Sequence, residues 1–311
     1  MKKILIISNA SMEMIVETER LPMPEETLLG SFSHYFLPGG KGSLSAVAVA
    51  RLGGDVALCT RLGADNHGQR LMSLYTESGV DTRFIPIDKT ANTGFNLYII
   101  EGTGVARALQ NPGASYNLSR ADVEQAFLCL PDAVYLQFEI PFEIARFASE
   151  IAAAKGIPVF VDASGVRPTT PISTLSPLEV FSPNEKETEL LTGVTPMGID
   201  GCLRASIELA RRVKAKYYVL KLGNRGAFIY DGRFCHMAPA YPVRNAVDMA
   251  AAGDAFSAAL TTEYLRNGGD IRQACLYANA AAALTIMRPG TTASLPTADE
   301  VTAFIKENPL P

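Results

Sequence analysis

The sequence predicts an α/β fold: a mostly parallel central sheet flanked by helices on both faces, with a small β-sheet inserted as a lid. Three observations carry this. From residue 133 onward, apolar runs of strand length alternate with runs of helical period, the pattern of a parallel sheet with helical crossovers. Two β-rich pieces, about residues 12–38 and 90–112, break that rhythm and are placed as a lid would be. The 311 residues are 48% hydrophobic and 19% charged, an ordinary globular balance, with no internal repeat or low-complexity segment. The chain therefore reads as one domain, residues 1–311, carrying the lid.

The elements follow in order. Residues 3–7, KILII, read as a buried strand, and residues 12–15 extend it. Residues 25–36 alternate in part, as a half-exposed strand does. Pro38-Gly39-Gly40-Lys41-Gly42 turns the chain into a helix over residues 43–52, stopped by Gly53-Gly54. A strand at 56–60 precedes a helix at 65–78. Residues 92–100 and 106–110 pair across Glu101-Gly102-Thr103-Gly104, a hairpin signal. Strands at 133–138, 158–161, 180–182 and 217–222 then alternate with helices at 142–154, 185–191 and 202–213. Residues 226–230 and 233–236 form a second hairpin, and residues 241–247 a last β-like run. Helices at 252–265, 271–287 and 297–306 finish the chain.

Composition excludes several classes. A net charge of −4 argues against a nucleic-acid or acidic-membrane surface. The five cysteines are scattered and odd in number, which reads as buried thiols in a reducing cytoplasm. His34, His67 and His236 are equally far apart, against a zinc site. Lys2-Lys3 before a short apolar run resembles a signal peptide superficially. The run is too short, acidic residues follow at once, and a first strand fits better. The longest low-charge stretch, residues 273–287, is shorter than a membrane span.

The most informative stretch is residues 245–265, NAVDMAAAGDAFSAALTTEYL. Ala251-Ala252-Gly253 delivers a helix N-terminus whose first turn holds Asp254. Amides there lack internal acceptors and carry partial positive charge, so a phosphate can sit on them. The three small residues leave the approach open. A carboxylate beside such a hole can take a proton from an attacking hydroxyl, and phosphoryl transfer needs mainly positioning and charge stabilisation. Taken alone, Asp254 fits equally well as a helix cap.

Other stretches are similarly double-edged. Lys41 in its glycine turn is a ligand for phosphate or a hydroxylated substrate, or a solvated lysine. Asn184 and Glu187 form a capping box, or hold a hydrated magnesium ion. Lys221-Leu222-Gly223-Asn224-Arg225-Gly226-Ala227 is an ordinary hairpin, or a surface under a nucleotide. Three alternatives drop out: Ser8-Asn9-Ala10-Ser11 is no dinucleotide fingerprint, Gly39-Gly40-Lys41-Gly42-Ser43 lacks Walker A spacing, and no Gly-x-Ser-x-Gly occurs.

In this order and spacing, Gly39-Gly40-Lys41-Gly42, Asn184-x-x-Glu187, Leu222-Gly223-x-x-Gly226-Ala227 and Asp248-x-x-x-Ala252-Gly253-Asp254-Ala255-Phe256 resemble the ribokinase-like (PfkB) carbohydrate kinases. The resemblance spans nearly the whole chain. It implies an ATP-dependent kinase acting on a small sugar or a nucleoside, with Asp254 as base and the amides of Ala251, Ala252 and Gly253 as anion hole. It further implies Mg²⁺ organised by Asn184 and Glu187, K⁺ at Asp248, and a nucleotide along Lys221, Gly223, Gly226 and Asn279. The sugar would lie among Glu13, Gly39, Gly40, Lys41, Leu44, Glu139 and the lid, which in this family often clasps two chains into a homodimer.

The chain departs from the family pattern at defined positions. Met249 replaces a threonine and Ala251 a glycine in the anion-hole motif. Ala10, Glu13 and Leu44 stand where ribokinases carry asparagine, aspartate and asparagine. A site built to hydrogen-bond hydroxyls discriminates strongly, so these changes predict a sugar less hydroxylated than ribose or differently substituted, or a nucleoside whose base meets Leu44. Met249 and Ala251 also leave open a catalytically weak or silent sugar- or nucleotide-binding member.

Overall fold

The computed structural model describes residues 2–30 and 32–310. Apolar β1 (Lys3–Ile7) is buried on both faces beyond its first residue, as a central parallel strand must be. Next come β2 (Ser11–Thr18), β3 (Phe32–Gly39), α1 (Lys41–Arg51), β4 (Asp55–Cys59), β5 (Leu62–Gly63), α2 (Asn66–Glu77), β6 (Ile87–Asp88), β7 (Gly94–Glu101) and β8 (Ala106–Asn111). The second half runs α3 (Arg120–Ala126), β9 (Ala133–Leu136), α4 (Phe142–Ala154), β10 (Val159–Asp162), β11 (Leu178–Ser182), α5 (Glu185–Thr192) and α6 (Gly198–Arg212). It ends with β12 (Ala215–Lys221), β13 (Ala227–Tyr230), β14 (Cys235–Ala238), α7 (Ala252–Arg266), α8 (Ile271–Ile286) and α9 (Ala298–Glu307).

The large sheet has the order β14-β13-β12-β11-β10-β9-β1-β4. It is parallel from β4 to β12 and antiparallel across the two edge strands. Alternate side chains serve opposite faces. Ile4 and Ile6 pack with Val47, Phe256 and Ala281 under α1, α7 and α8. Leu5 and Ile7 pack with Val123, Ala148 and Leu209 under α3, α4 and α6. Local signals set the helix starts: Asp65, Ser119, Asn184, Asp270 and Thr297 each cap a helix through a side-chain oxygen.

A second sheet, in the order β3-β2-β7-β8, covers the carboxyl ends of the central strands as the lid. β2 pairs antiparallel with β3 and parallel with β7, bringing together pieces about eighty residues apart in sequence.

Four expectations need correction. Residues 12–15 do not prolong β1 but belong to the lid. The Ala10 amide donates to Ser115 Oγ at 3.1 Å, so the β1 ladder ends and the chain leaves the large sheet. The strand expected over 25–36 begins only at Phe32 (Ser31 lies outside the described residues), because Glu25, at φ +66°, and Glu26 turn back on Met23. Residues 241–247 are not a strand: Pro242 brings no donor, and the Val247 amide caps α8 at the Ile286 carbonyl, 2.7 Å away. Of the five cysteines, Cys235 is exposed on edge strand β14. The short helix α3 went unanticipated, although its Ser119–Asp122 capping box is legible.

Candidate active site

A cleft of ≈ 620 Å³ lies between the lid and the carboxyl edge of the large sheet, where open α/β sheets bind ligands. The lid contributes Glu13, Ile15, Leu37, Asn96 and Tyr98, among others, and the body contributes Lys41, Glu139, Asn184, Lys221 and the 248–254 turn. Thus most residues singled out in the sequence converge on one space.

At its centre is the start of α7. Ala251 is the N-cap, at φ +59° and ψ −1°, and its carbonyl accepts the Ala255 amide at 2.8 Å. The left-handed conformation normally asks for glycine. Here the alanine adopts it, and residues 251–253 border the cleft, exposed Gly253 among them. Asp254, in the first turn, is 4% exposed. Burial lifts its carboxyl from 3.8 to about 6; neighbouring Lys41 opposes this, while Asp162 and Glu139 add to it. An acid lifted that far suits a base working near neutral pH. Lys41 is the first residue of α1, past Gly40, whose φ of +83° turns the chain into the helix. Asp254 and then Glu139 hold its ammonium above its ordinary pKa, against burial.

The lid side holds the second acid. Burial drives Glu13 up to about 7, with the nearby Asn96 amide opposing. A Cβ on Gly39 would stand 2.3 Å from the Glu13 carboxyl carbon. Gly39 does not line the cleft; its missing side chain is the space in which Glu13 lies. Leu44 is buried on α1 against the same cleft. Asn9 donates to Glu139 Oε2 at 2.8 Å, and Gln137 donates to Asn9 Oδ1 at 2.8 Å. These two amides have no sequence motif, yet they orient an acid of the cleft.

The other end gathers Asn184, Lys221 and Gly223. Asn184 and Glu187 form the reciprocal capping box, at 2.8 and 2.9 Å, so the capping reading of this motif describes the geometry. It occupies only Oε2 of Glu187, and burial raises that carboxyl, with Lys221 opposing. Among the described residues no cluster of three or more His, Cys, Asp or Glu is poised to hold a metal. Asp248 accepts the amides of Ala250 at 2.9 Å and Gly290 at 3.0 Å, tying the turn before α7 to the chain after α8. Gly226, at φ +90°, closes the turn after β12, and Asn279 gives its amide to the Ala238 and Pro239 carbonyls. Neither lines the cleft, nor does Glu187. Met249 does, but is 65% exposed.

The model of the pfkB family carbohydrate kinases matches residues 1–298. The chain belongs to that family. Among similar members, a ribokinase of Staphylococcus aureus (strain COL) is 27% identical, over 96% of this chain and 98% of its own. A deoxyribokinase of Salmonella typhi is also 27% identical, over 98% and 99%. The structure of Arabidopsis thaliana ribokinase complexed with ribose and ATP matches at TM-score 0.88 and 25% identity, over 98% and 99%. Behind the cleft wall one acid has no motif: Asp162, which terminates apolar β10, is 2% exposed and accepts from the cleft residue Lys221 without lining the cleft itself. No helix among the described residues is long and apolar enough to cross a membrane.

Proposed function

We propose that this chain phosphorylates a hydroxyl of a small, uncharged sugar with ATP. The observation that carries the reading is Asp254: a buried carboxyl, lifted to about 6, at the N-terminus of α7 beside three small residues in the cleft. Asp254 takes the proton of the acceptor hydroxyl as the oxygen attacks, and the amides of residues 251–253 meet the charge of the transferring phosphoryl group. Lys41 keeps Asp254 ionised near neutral pH. Lys221, with Asn184 and Gly223, faces the nucleotide end.

Magnesium would be held through waters by Asn184 at the cleft wall and by the free oxygen of Glu187 behind it, where it would neutralise phosphate charge; the family resemblance implies potassium beside Asp248. The acceptor end sets Asp254, Glu139 and a partly ionised Glu13 against the single cation Lys41, an acidic lining that disfavours a sugar already carrying phosphate or carboxylate. Buried Leu44 replaces a polar reader, which favours a deoxyribose-like sugar over ribose. The lid leaves Phe32, Phe36 and Leu109 exposed, a surface that a second copy would cover in a homodimer. Use of ATP and unpaired thiols suit the cytoplasm.

The test is ADP release with Mg-ATP and KCl against pentoses, deoxypentoses, hexoses, sugar phosphates and nucleosides, with Asp254→Asn alongside. Acceptor-dependent release from an uncharged sugar that drops at least about a hundredfold in the variant is expected. Release with no acceptor dependence, or an undiminished variant, overturns the reading. Preference for a nucleoside would move the substrate class to nucleosides within the same mechanism.

A further inference from the structure

Asp162 closes β10 at the carboxyl edge of the sheet and is almost wholly buried. Lys221 Nζ donates to its Oδ2 at 2.5 Å and Ser257 Oγ to the same oxygen at 2.6 Å. The Ser164 amide and hydroxyl donate to Oδ1, at 2.9 and 2.5 Å. Both oxygens are therefore held from three directions, and the Lys221 ammonium keeps the carboxyl below its usual range against the cost of burial. The Lys221 side chain is 11% exposed; it lines the cleft beside Asn184 and Gly223, and a backbone bridge pairs Lys221 with Asn184. Ser257 lies on α7, one turn beyond Asp254.

A buried ion pair returns little net stability over well-packed apolar residues. This one joins the wall of the cleft to the helix that carries the base. A lysine on its own is a flexible point charge, whereas a lysine held by a carboxylate with four donors has one place to be. Resting on the kinase reading above, we propose that Asp162 is a positioning residue for phosphoryl-donor binding, acting through Lys221, whose ammonium it holds toward the phosphate end of the cleft. Asp162 touches no substrate; its effect passes entirely through that ammonium.

Calorimetric titration with Mg-ATP alone tests this independently of the acceptor. Asp162→Asn keeps the shape and removes the charge; it should weaken Mg-ATP binding about tenfold, the low end for one charged hydrogen bond. Lys221→Met should lose at least as much. The double variant should bind no more weakly than Lys221→Met, because the two residues act as a unit. Thermal melts identify any variant that fails to fold. Should Asp162→Asn fail, the double variant buries no unpartnered charge and carries the test: affinity equal to Lys221→Met supports the inference, and a further loss overturns it. Unchanged affinity in Asp162→Asn, or additive losses in the double variant, overturns it while leaving the kinase reading intact. Wild-type protein that does not bind Mg-ATP overturns both.

Discussion

Asp254→Asn should cut turnover at least about a hundredfold and at the same time stabilise the fold. In the folded chain the Asp254 carboxyl is lifted from 3.8 to about 6, chiefly by burial. The folded protein therefore binds a proton more tightly here than the unfolded chain does. This group's contribution to stability is fully present below pH 3.8 and is lost as pH rises through about 6. At 1.36 kcal/mol per pH unit, the ionised folded state carries a penalty of about 3 kcal/mol at pH 8. Asparagine has the same shape and no charge, so that penalty disappears. With roughly 2.1 cal/mol/K of unfolding entropy per residue, 3 kcal/mol corresponds to about 4–5 °C in a chain of this length. The assay is thermal and urea unfolding of both proteins without ligand at pH 8 and near pH 4. A gain at pH 8 that shrinks towards zero near pH 4 is expected. A variant less stable than wild type at pH 8, or a difference independent of pH, refutes the view of Asp254 as a carboxylate held ionised at a cost.

Three other outcomes follow from the same geometry. A base at Asp254, as proposed, must be ionised to accept a proton, so kcat/KM should fall about tenfold per pH unit below about 6, and Lys41→Met should move that limb to higher pH by removing the cation that favours the charged form; a profile flat from pH 8 to 5 contradicts this. Ala251→Gly should relieve about 1–2 kcal/mol of left-handed strain and lose about 0.4–1 kcal/mol to unfolded-chain entropy. Chemical denaturation should therefore show a small net gain, while kcat stays within about threefold; a hundredfold rise in kcat would mean that the alanine had displaced an anion-hole donor. Gly39→Ala should push a methyl into the space of the Glu13 side chain, which can swing away, so KM for the sugar should rise with the melting temperature nearly unchanged. Equal effects on the sugar and ATP KM values would show that Gly39 serves another purpose.

Much of the fold was legible because its signals are local. Alternating strands and helices, glycine stops and capping residues need no distant partner, and they mark most of β9 to α9. The lid was legible as two stretches out of rhythm, but not as one sheet, because β2 and β7 meet only through register between distant segments. Residues 241–247 misled for the opposite reason: apolar spacing suggested a strand, but the hydrogen bonds go to the end of α8. In the site, Asp254, Lys41, Asn184 and Asp248 lie in compact runs that could be read in order. Asp162, Asn9 and Gln137 could not, since each sits singly beside an apolar strand and takes its meaning from a neighbour elsewhere in the chain.

The sequence by itself determined which helix would present its N-terminus, which acid would stand in its first turn, and that small residues would surround it. Those are properties of consecutive residues, set by periodicity and side-chain size. Only the tertiary structure decided how charged those groups are. The lift on Asp254 comes from burial, and Lys41, Asp162 and Glu139 modify it from α1, β10 and the loop after β9. Desolvation and Coulomb interactions depend on distance in space, and a chain folded through a parallel sheet brings together charges that sequence keeps far apart.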